Sequence, residues 1–322
     1  MSDKLYTPTN TNSQKCVRDV LKYLSDITYN KIITGQHVQT LDMEEYELIK
    51  AQTGKEPALL GFELLSYSPN INYLDTDEEC MTEVVENYGM LKRAWEWAEK
   101  KGLITFTWHW FSPLGGRSKS FFTENTEFDA LLAIKEGTPE HDALIKDMDV
   151  MAGLLRPFCD KGIPILWRPF HEGDGGWFWW GAKGASVVKA LWRIMYERYT
   201  VHHGLNNLIW VWNSQVPECY PGDDVVDIIS RDLYPEPHAH TSQKAAYDEL
   251  LKITDTPKIA TIGEIGVLPD PGAIHSEGAG WAAFMVWSKE FCLGEKHSSY
   301  DYLRQVYSSP FSVTLDTLPA LY

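Results

Sequence analysis

The sequence lacks most of the short signatures that would place a protein in a class at once. None of its five cysteines (Cys16, Cys80, Cys159, Cys219 and Cys292) lies in a CxxC pair or at metal-type spacing. That argues against a zinc ribbon or a disulfide framework and for reduced structural thiols. The first strand-like run ends in GQHVQT, without the glycine-rich phosphate turn of a dinucleotide-binding sheet. No segment approaches the roughly 18 uninterrupted apolar residues of a membrane span. Positive charge is scarce as well: 29 Lys and Arg stand against 45 Asp and Glu, a net charge of −16. Such a field repels phosphate backbones and anionic lipid, so neither nucleic acid nor a membrane is an expected partner. The opening MSDKLYTPTNTNSQK has no charged segment leading into an apolar run, so no signal peptide is visible. The expectation is a cytoplasmic chain, although a secreted one with its leader removed would read the same. Oligomeric state is not legible.

What is abundant is aromatic surface. The 322 residues include 13 Trp and 16 Tyr, with 44% hydrophobic and 23% charged residues overall, the balance of a globular protein. Flat faces with one polar edge suit a large core, and they suit equally the apolar C–H face of a sugar ring.

Short apolar runs alternate with helical patterns along the whole chain. Strands are predicted at 32–37, 58–65, 103–110, 163–172, 208–213, 227–234, 258–266 and 284–291. Helical spacing marks 43–53, 77–101, 139–160, 186–202, 242–254 and 298–307, while 214–226 is too short for a full helix. In 83–97, Val84, Leu91, Ala94 and Trp95 share one face. Eight strands alternating with helices, without a Pro/Ser-rich linker, predict one (β/α)₈ TIM barrel over 1–322, with 1–13 as an N-terminal extension.

The predicted strand ends hold the polar residues. They carry Gln36 and His37, Glu63, Trp108–Trp110, His171 and Glu172, Asn213, Asp232 and Tyr234, Glu264 and Trp287. The opposite ends are mostly apolar, and barrel enzymes place their active sites at the C-terminal ends. Glu172 and Glu264 each close a run that should be buried, where a carboxylate is costly unless paired, protonated or used. The structural alternative is an ion pair such as Glu172 with Arg168. Two facing carboxyls in a tryptophan-lined mouth suit glycoside hydrolysis, one protonated to donate and one ionised to attack or activate water.

These segments resemble glycoside hydrolase family 26, the β-mannanase family. WRPFHEGDGGWFWWG is similar to its acid/base segment, IGEIG to its nucleophile segment, TWHW to its third strand, RDLYP to its sixth and FMVWSKEF to its eighth. The resemblance implies a retaining endo-β-1,4-mannanase with Glu172 as acid/base and Glu264 as nucleophile. It implies a substrate-binding set of His109, His171, Trp177, Tyr234 and Trp287, to which the strand-end residues His37 and Trp110 are added. Tyr234 and His171 are expected to donate hydrogen bonds to Glu264. No cofactor and no metal are implied, and the expected partner is a neutral β-linked polysaccharide or oligosaccharide. Gly173–Asp174 and Ser288 depart from common family wording. Mixed-linkage β-glucan and β-1,3-xylan therefore stand as alternative substrates, with mannobiose-releasing exo action as a weaker one. From other classes, a metal-dependent sugar isomerase or aldolase would use Glu172, Glu264, Asp232 and His109 as ligands, and a non-catalytic sugar-binding protein would use only the tryptophans. The segment 115–142 is an acidic loop beside the cleft whose role the residues do not reveal.

Overall fold

The computed structural model describes residues 7–322. Eight parallel strands close into a barrel: β1 (Gly35–Val38), β2 (Leu59–Glu63), β3 (Leu103–Thr107), β4 (Ile165–Arg168), β5 (Leu208–Asn213), β6 (Ile228–Leu233), β7 (Ile259–Ile265) and β8 (Trp281–Val286), with β8 pairing back onto β1. A two-residue piece, Ile32–Ile33, precedes β1 and pairs with both β8 and Ser312–Val313. The helices are α1 (Lys15–Ile27), α2 (Glu44–Thr53), α3 (Glu78–Asn87), α4 (Met90–Glu99), α5 (Ala130–Ala133), α6 (Pro139–Asp160), α7 (Ala185–Glu197), α8 (Lys244–Leu250), α9 (Pro271–Glu277) and α10 (Tyr300–Ser308). Among the described residues no helix is long and apolar enough to cross a membrane.

Local chemistry explains where these elements begin and end. Thr138 caps α6 by accepting from the His141 N–H, Pro139 takes the first helical position, and Glu140 and Asp142 sit in the first turn. Asp77 caps α3 and Ser299 caps α10 in the same way. The helical pattern 77–101 is two helices, because Gly89 adopts φ +106° between them. On that pair Val84 and Ala94 are buried, whereas Leu91 and Trp95 are half-buried. Segment 214–226 holds only a single 3₁₀ turn.

Three expectations need correction. The fourth strand ends at Arg168 rather than at residue 172. Pro169 has no N–H for the ladder, and Phe170 and Glu172 both have positive φ, +52° and +51°. The eighth strand lies three residues earlier than 284–291 and stops just before Trp287. Three helices, α1, α9 and the four-residue α5, are additional to the predicted set. α1 turns Val17, Val20, Leu21 and Leu24 against Ile33, Ala58, Leu103 and Ile259 at the N-terminal mouth, sealing the floor of the barrel. The described part of the expected extension is tied down there: Thr9 donates twice to Asp227, and Asn10 donates to Asn206.

A second, larger core fills the space between barrel and helices. Trp97, Trp192, Trp210, Trp212 and Trp281 are all buried in it. The five cysteines are free thiols, four of them buried and Cys292 half-buried.

Inward-facing residues follow the two-residue period of the strands except in β7. There the register with β6 runs Arg231 to Ile262 and then Asp232 to Glu264, skipping Gly263. A Cβ on Gly263 would lie 2.7 Å from Asp232 Oδ1 and 2.8 Å from Asn213 Nδ2, so this glycine faces the barrel interior. In a regular strand Glu264 would then point outward. The bulge turns it inward beside its glycine.

Closure of the barrel has its own requirement at Gly35, where a Cβ would sit 2.3 Å from the Phe284 carbonyl oxygen of β8. Gly35→Ala is expected to force β1 and β8 apart and to destabilise the fold by about 1–3 kcal/mol, in the range of overpacked core substitutions. Equilibrium denaturant unfolding at unchanged m-value measures this, and an unaltered midpoint would contradict the close approach.

Candidate active site

The C-terminal mouth is built around a buried guanidinium. Arg168, at the end of β4, is 1% exposed. Its Nη2 donates to Thr107 Oγ1 at 2.9 Å and to Glu264 Oε1 at 2.5 Å, and its Nη1 reaches Asp232 Oδ2 at 3.2 Å. A cation this deep requires compensation, and two carboxylates supply it. The Glu172–Arg168 ion pair considered from the sequence is not the arrangement: Arg168 faces Asp232 and Glu264.

Glu264 accepts a second hydrogen bond from the Tyr234 hydroxyl, 2.6 Å from Oε2. Two donors converge on this carboxylate, the pattern that an ionised, acceptor-only group satisfies. The second donor expected for it, His171, is not among its recorded partners. His171 instead packs edge-on to His109, with ring centroids 4.6 Å apart, and against Phe178. Burial and the charges of His109 and Arg168 hold the His171 imidazole well below its ordinary pKa, hence neutral.

Glu172 occupies a different environment. Its carboxylate accepts from Trp177 Nε1 at 2.9 Å. Burial, reinforced by the nearby charge of Glu264, raises its pKa above the usual carboxyl value, while the Trp177 bond and Arg168 act in the opposite direction. One oxygen each from Glu172, Asp232 and Glu264 lie within 4.8 Å of one another. Asp232 itself is pushed well up by burial and by Glu264, against the pull of Arg168.

Histidine and tryptophan line the rest of the mouth. His109 follows β3. Its backbone N–H and its Nδ1 both meet the carboxylate of Glu63, a completely buried residue, at 2.8 and 2.7 Å. Burial opposes protonation of this imidazole, but the charge and hydrogen bond of Glu63 outweigh it and raise its pKa. Trp287 is half-buried, with its ring stacked 4.1 Å above His37. Trp177 and Tyr234 are about half exposed, at 51% and 49%, and both face a donor or acceptor of the carboxylate pair.

The structure does not bring every expected side chain to the cleft. His37 is completely buried, with neither ring nitrogen hydrogen-bonded, and burial keeps it neutral. It stacks beneath Trp287. Trp110 is 1% exposed, stacked on Trp108, and donates its indole N–H to the buried Asp147. It is wall, not surface. Trp179 and Trp180 are likewise buried and donate to backbone carbonyls of Trp110 and His171.

Three further residues, two of them at predicted strand ends and without a role assigned from sequence, complete the centre. Glu63 orients His109, Asn213 links Asp232 to the backbone of Glu172, and Arg168 holds two carboxylates. The signal for Arg168 was present as a cation inside an apolar run. The segment 115–142 also gains a place: Phe121 and Phe122 pack on Phe178, and Thr123 donates to the carbonyls of Trp177 and Gly176 at 2.7 and 2.8 Å. It buttresses the loop that carries Trp177.

The chain is similar to known proteins along most of its length. A mannan endo-1,4-beta-mannosidase of Thermothelomyces thermophilus is 35% identical over 317 residues, covering 96% of this chain and 62% of that relative. A mannan endo-1,4-beta-mannosidase B of Piromyces is 33% identical over 270 residues, 83% of this chain and 45% of the relative. The chain thus spans less than two thirds of the length of either. Among solved structures, a Podospora anserina GH26-CBM35 β-(1,4)-mannanase superposes with a TM-score of 0.87 at 35% identity, covering 98% of this chain and 69% of the other. A β-mannanase from a symbiotic protist of the termite Reticulitermes speratus, complexed with gluco-manno-oligosaccharide, superposes with a TM-score of 0.85 at 29% identity over 98% of both chains. The model of glycosyl hydrolase family 26 matches residues 9–317, and with the barrel and its carboxylate centre this chain belongs to that family.

Proposed function

We propose that this chain is a retaining endo-β-1,4-mannanase acting on mannan, glucomannan or manno-oligosaccharides, with Glu264 as nucleophile and Glu172 as acid/base. The observation that carries the reading is the close pair of carboxyls in unlike surroundings, their oxygens within 4.8 Å. Retaining glycosidases hold the two carboxyl groups about 5–5.5 Å apart, and inverting ones leave room for a water between them.

In this reading a β-glycosidic bond lies across the mouth. Glu264 Oε attacks the anomeric carbon, that carbon's bond to the leaving oxygen breaks, and Glu172 delivers its proton to the departing oxygen. Arg168 and Tyr234 hold the nucleophile in place. Once Glu264 is esterified its charge is gone, and with it one of the causes that raise the Glu172 pKa. Glu172 is then suited to take a proton from water, whose oxygen attacks the same carbon and releases Glu264. Trp287 offers the flat floor for the sugar, His109 a polarised edge above it, and Trp177 the face beyond the scissile bond. Mannan is favoured over other β-glycans by the names of the relatives.

A metal-dependent isomerase on the same residues is disfavoured by the neighbours of its ligands. Arg168 already supplies positive charge to Asp232 and Glu264, and His109 Nδ1 is committed to Glu63. A purely sugar-binding role leaves the unlike surroundings of the two carboxyls without a use.

Two experiments test the proposal. On a panel of mannan, glucomannan, mixed-linkage β-glucan and β-1,3-xylan, hydrolysis of the mannose-containing polymers to a range of oligosaccharides is expected, with Glu264→Ala losing at least about 10³-fold in kcat while still binding. Near-native turnover in that variant would sink the assignment. Because burial and Glu264 raise the Glu172 pKa, activity should persist on the alkaline side to a pH above the ordinary carboxyl range near 4.3. Trp177→Phe removes a donor that favours the ionised carboxylate, so the alkaline limb of kcat/KM should move to higher pH. A shift to lower pH would contradict the hydrogen bond's assigned effect.

A further inference from the structure

Glu172 stands on a loop, not on a strand, in a backbone conformation that side-chain-bearing residues adopt rarely. Its φ is +51°, two residues after Phe170 at +52°. Such a conformation persists only where the surroundings over-determine it. The Glu172 carbonyl accepts from the Gly175 N–H at 2.9 Å inside the loop, and the Glu172 N–H donates out of the loop to the side-chain amide of Asn213, at Oδ1, 2.8 Å away. The same amide donates through Nδ2 to Asp232 Oδ1 at 2.9 Å and to Ser230 Oγ at 3.1 Å. Asp232 continues to Arg168, and Arg168 to Glu264. A continuous chain of hydrogen bonds therefore runs from the backbone of one carboxyl-bearing residue to the side chain of the other. Gly263 leaves the room this chain needs, since a Cβ there would crowd both Asn213 Nδ2 and Asp232 Oδ1.

We propose that Asn213 is a positioning residue: it holds Glu172 in its left-handed backbone conformation and, through Asp232 and Arg168, sets the acid/base carboxyl in register with Glu264. The proposal rests on the roles given above to Glu172 and Glu264. An amide suits the position because one end must accept from a backbone N–H while the other donates to a carboxyl, which neither Asp nor Leu does. Asn213 is buried, 1% exposed. Its effect comes through the location of the proton donor, and a displacement on the order of 1 Å can cost about 100-fold in rate.

The test compares two substrates: 2,4-dinitrophenyl β-mannobioside, whose leaving group departs without a proton, and mannopentaose, whose leaving group needs one. Asn213→Ala is expected to lose roughly 10- to 100-fold in kcat/KM on mannopentaose, with a much smaller loss on the dinitrophenyl glycoside. KM for the oligosaccharide should change little, and added azide should accelerate turnover of the activated substrate, as it should for Glu172→Ala. Asn213→Asp keeps an oxygen acceptor for the Glu172 N–H but sets a carboxylate against Asp232, and is expected to retain the leaving-group dependence rather than relieve it. Should the alanine chain not fold, Asn213→Ser draws the acceptor back by one bond and is expected to show the same leaving-group dependence. Circular dichroism establishes folding for each. Equal losses on both substrates, or none, would overturn the inference while Glu172→Ala still behaves as an acid/base variant. If Glu172→Ala itself shows no leaving-group dependence, the role of Glu172 fails and the inference falls with it.

Discussion

The buried charge of Arg168 is the constraint on which the site depends. A guanidinium cannot stay in a barrel interior without partners, since the cost of removing a cation from water runs to several kcal/mol. Thr107, Asp232 and Glu264, from three different strands, supply the acceptors. Their convergence fixes the height of each strand end around the mouth. It also places a negative charge opposite Glu172, where that charge helps to keep the second carboxyl protonated. One electrostatic requirement thus shapes the surroundings of both carboxyls.

Around that centre the protein uses aromatic packing to make a rigid wall with few exposed faces. Phe178, Trp179 and Trp180 are all buried, and their ring stacking holds the loop after Glu172 against the segment 115–127. Only Trp177 of that tetrad stands out into solvent. On the other side His37 plays an equivalent part beneath Trp287. Tight packing of this kind keeps the side chains of the mouth in fixed positions.

Much of this was legible in the residues themselves. The barrel follows from eight apolar runs alternating with helical spacing, and helix limits such as 139–160 follow from a capping threonine, a proline and a terminal stop. Misplaced limits have particular causes. Strand four was read too long because Pro169 and Phe170 look apolar and extended, while their backbone turns. The eighth strand departs from the predicted 284–291 because pairing ends at Val286 and the chain then enters a 3₁₀ turn at Lys289–Phe291. α1 does carry a helical pattern, with Val17, Val20, Leu21, Leu24 and Ile27 on its buried face, and only its place on the barrel floor is a tertiary matter. His37 and Trp110 were assigned to the cleft because strand-end position reports height along the barrel but not depth behind a neighbouring ring.

The sequence by itself determined which residue types stand at the strand ends, and so the class of chemistry they suit, because the two-residue period and the polarity of the ends are local properties. What tertiary structure alone decided is which way the two carboxyls face. Glu264 points inward through a bulge at Gly263 that breaks the alternation of β7, and a register shift between strands is a property of the pair, not of either run. Glu172 reaches the mouth through a left-handed turn pinned by an asparagine 41 positions away in the chain. Both carboxyls thus owe their orientation to contacts with residues distant in the chain, which local pattern cannot supply.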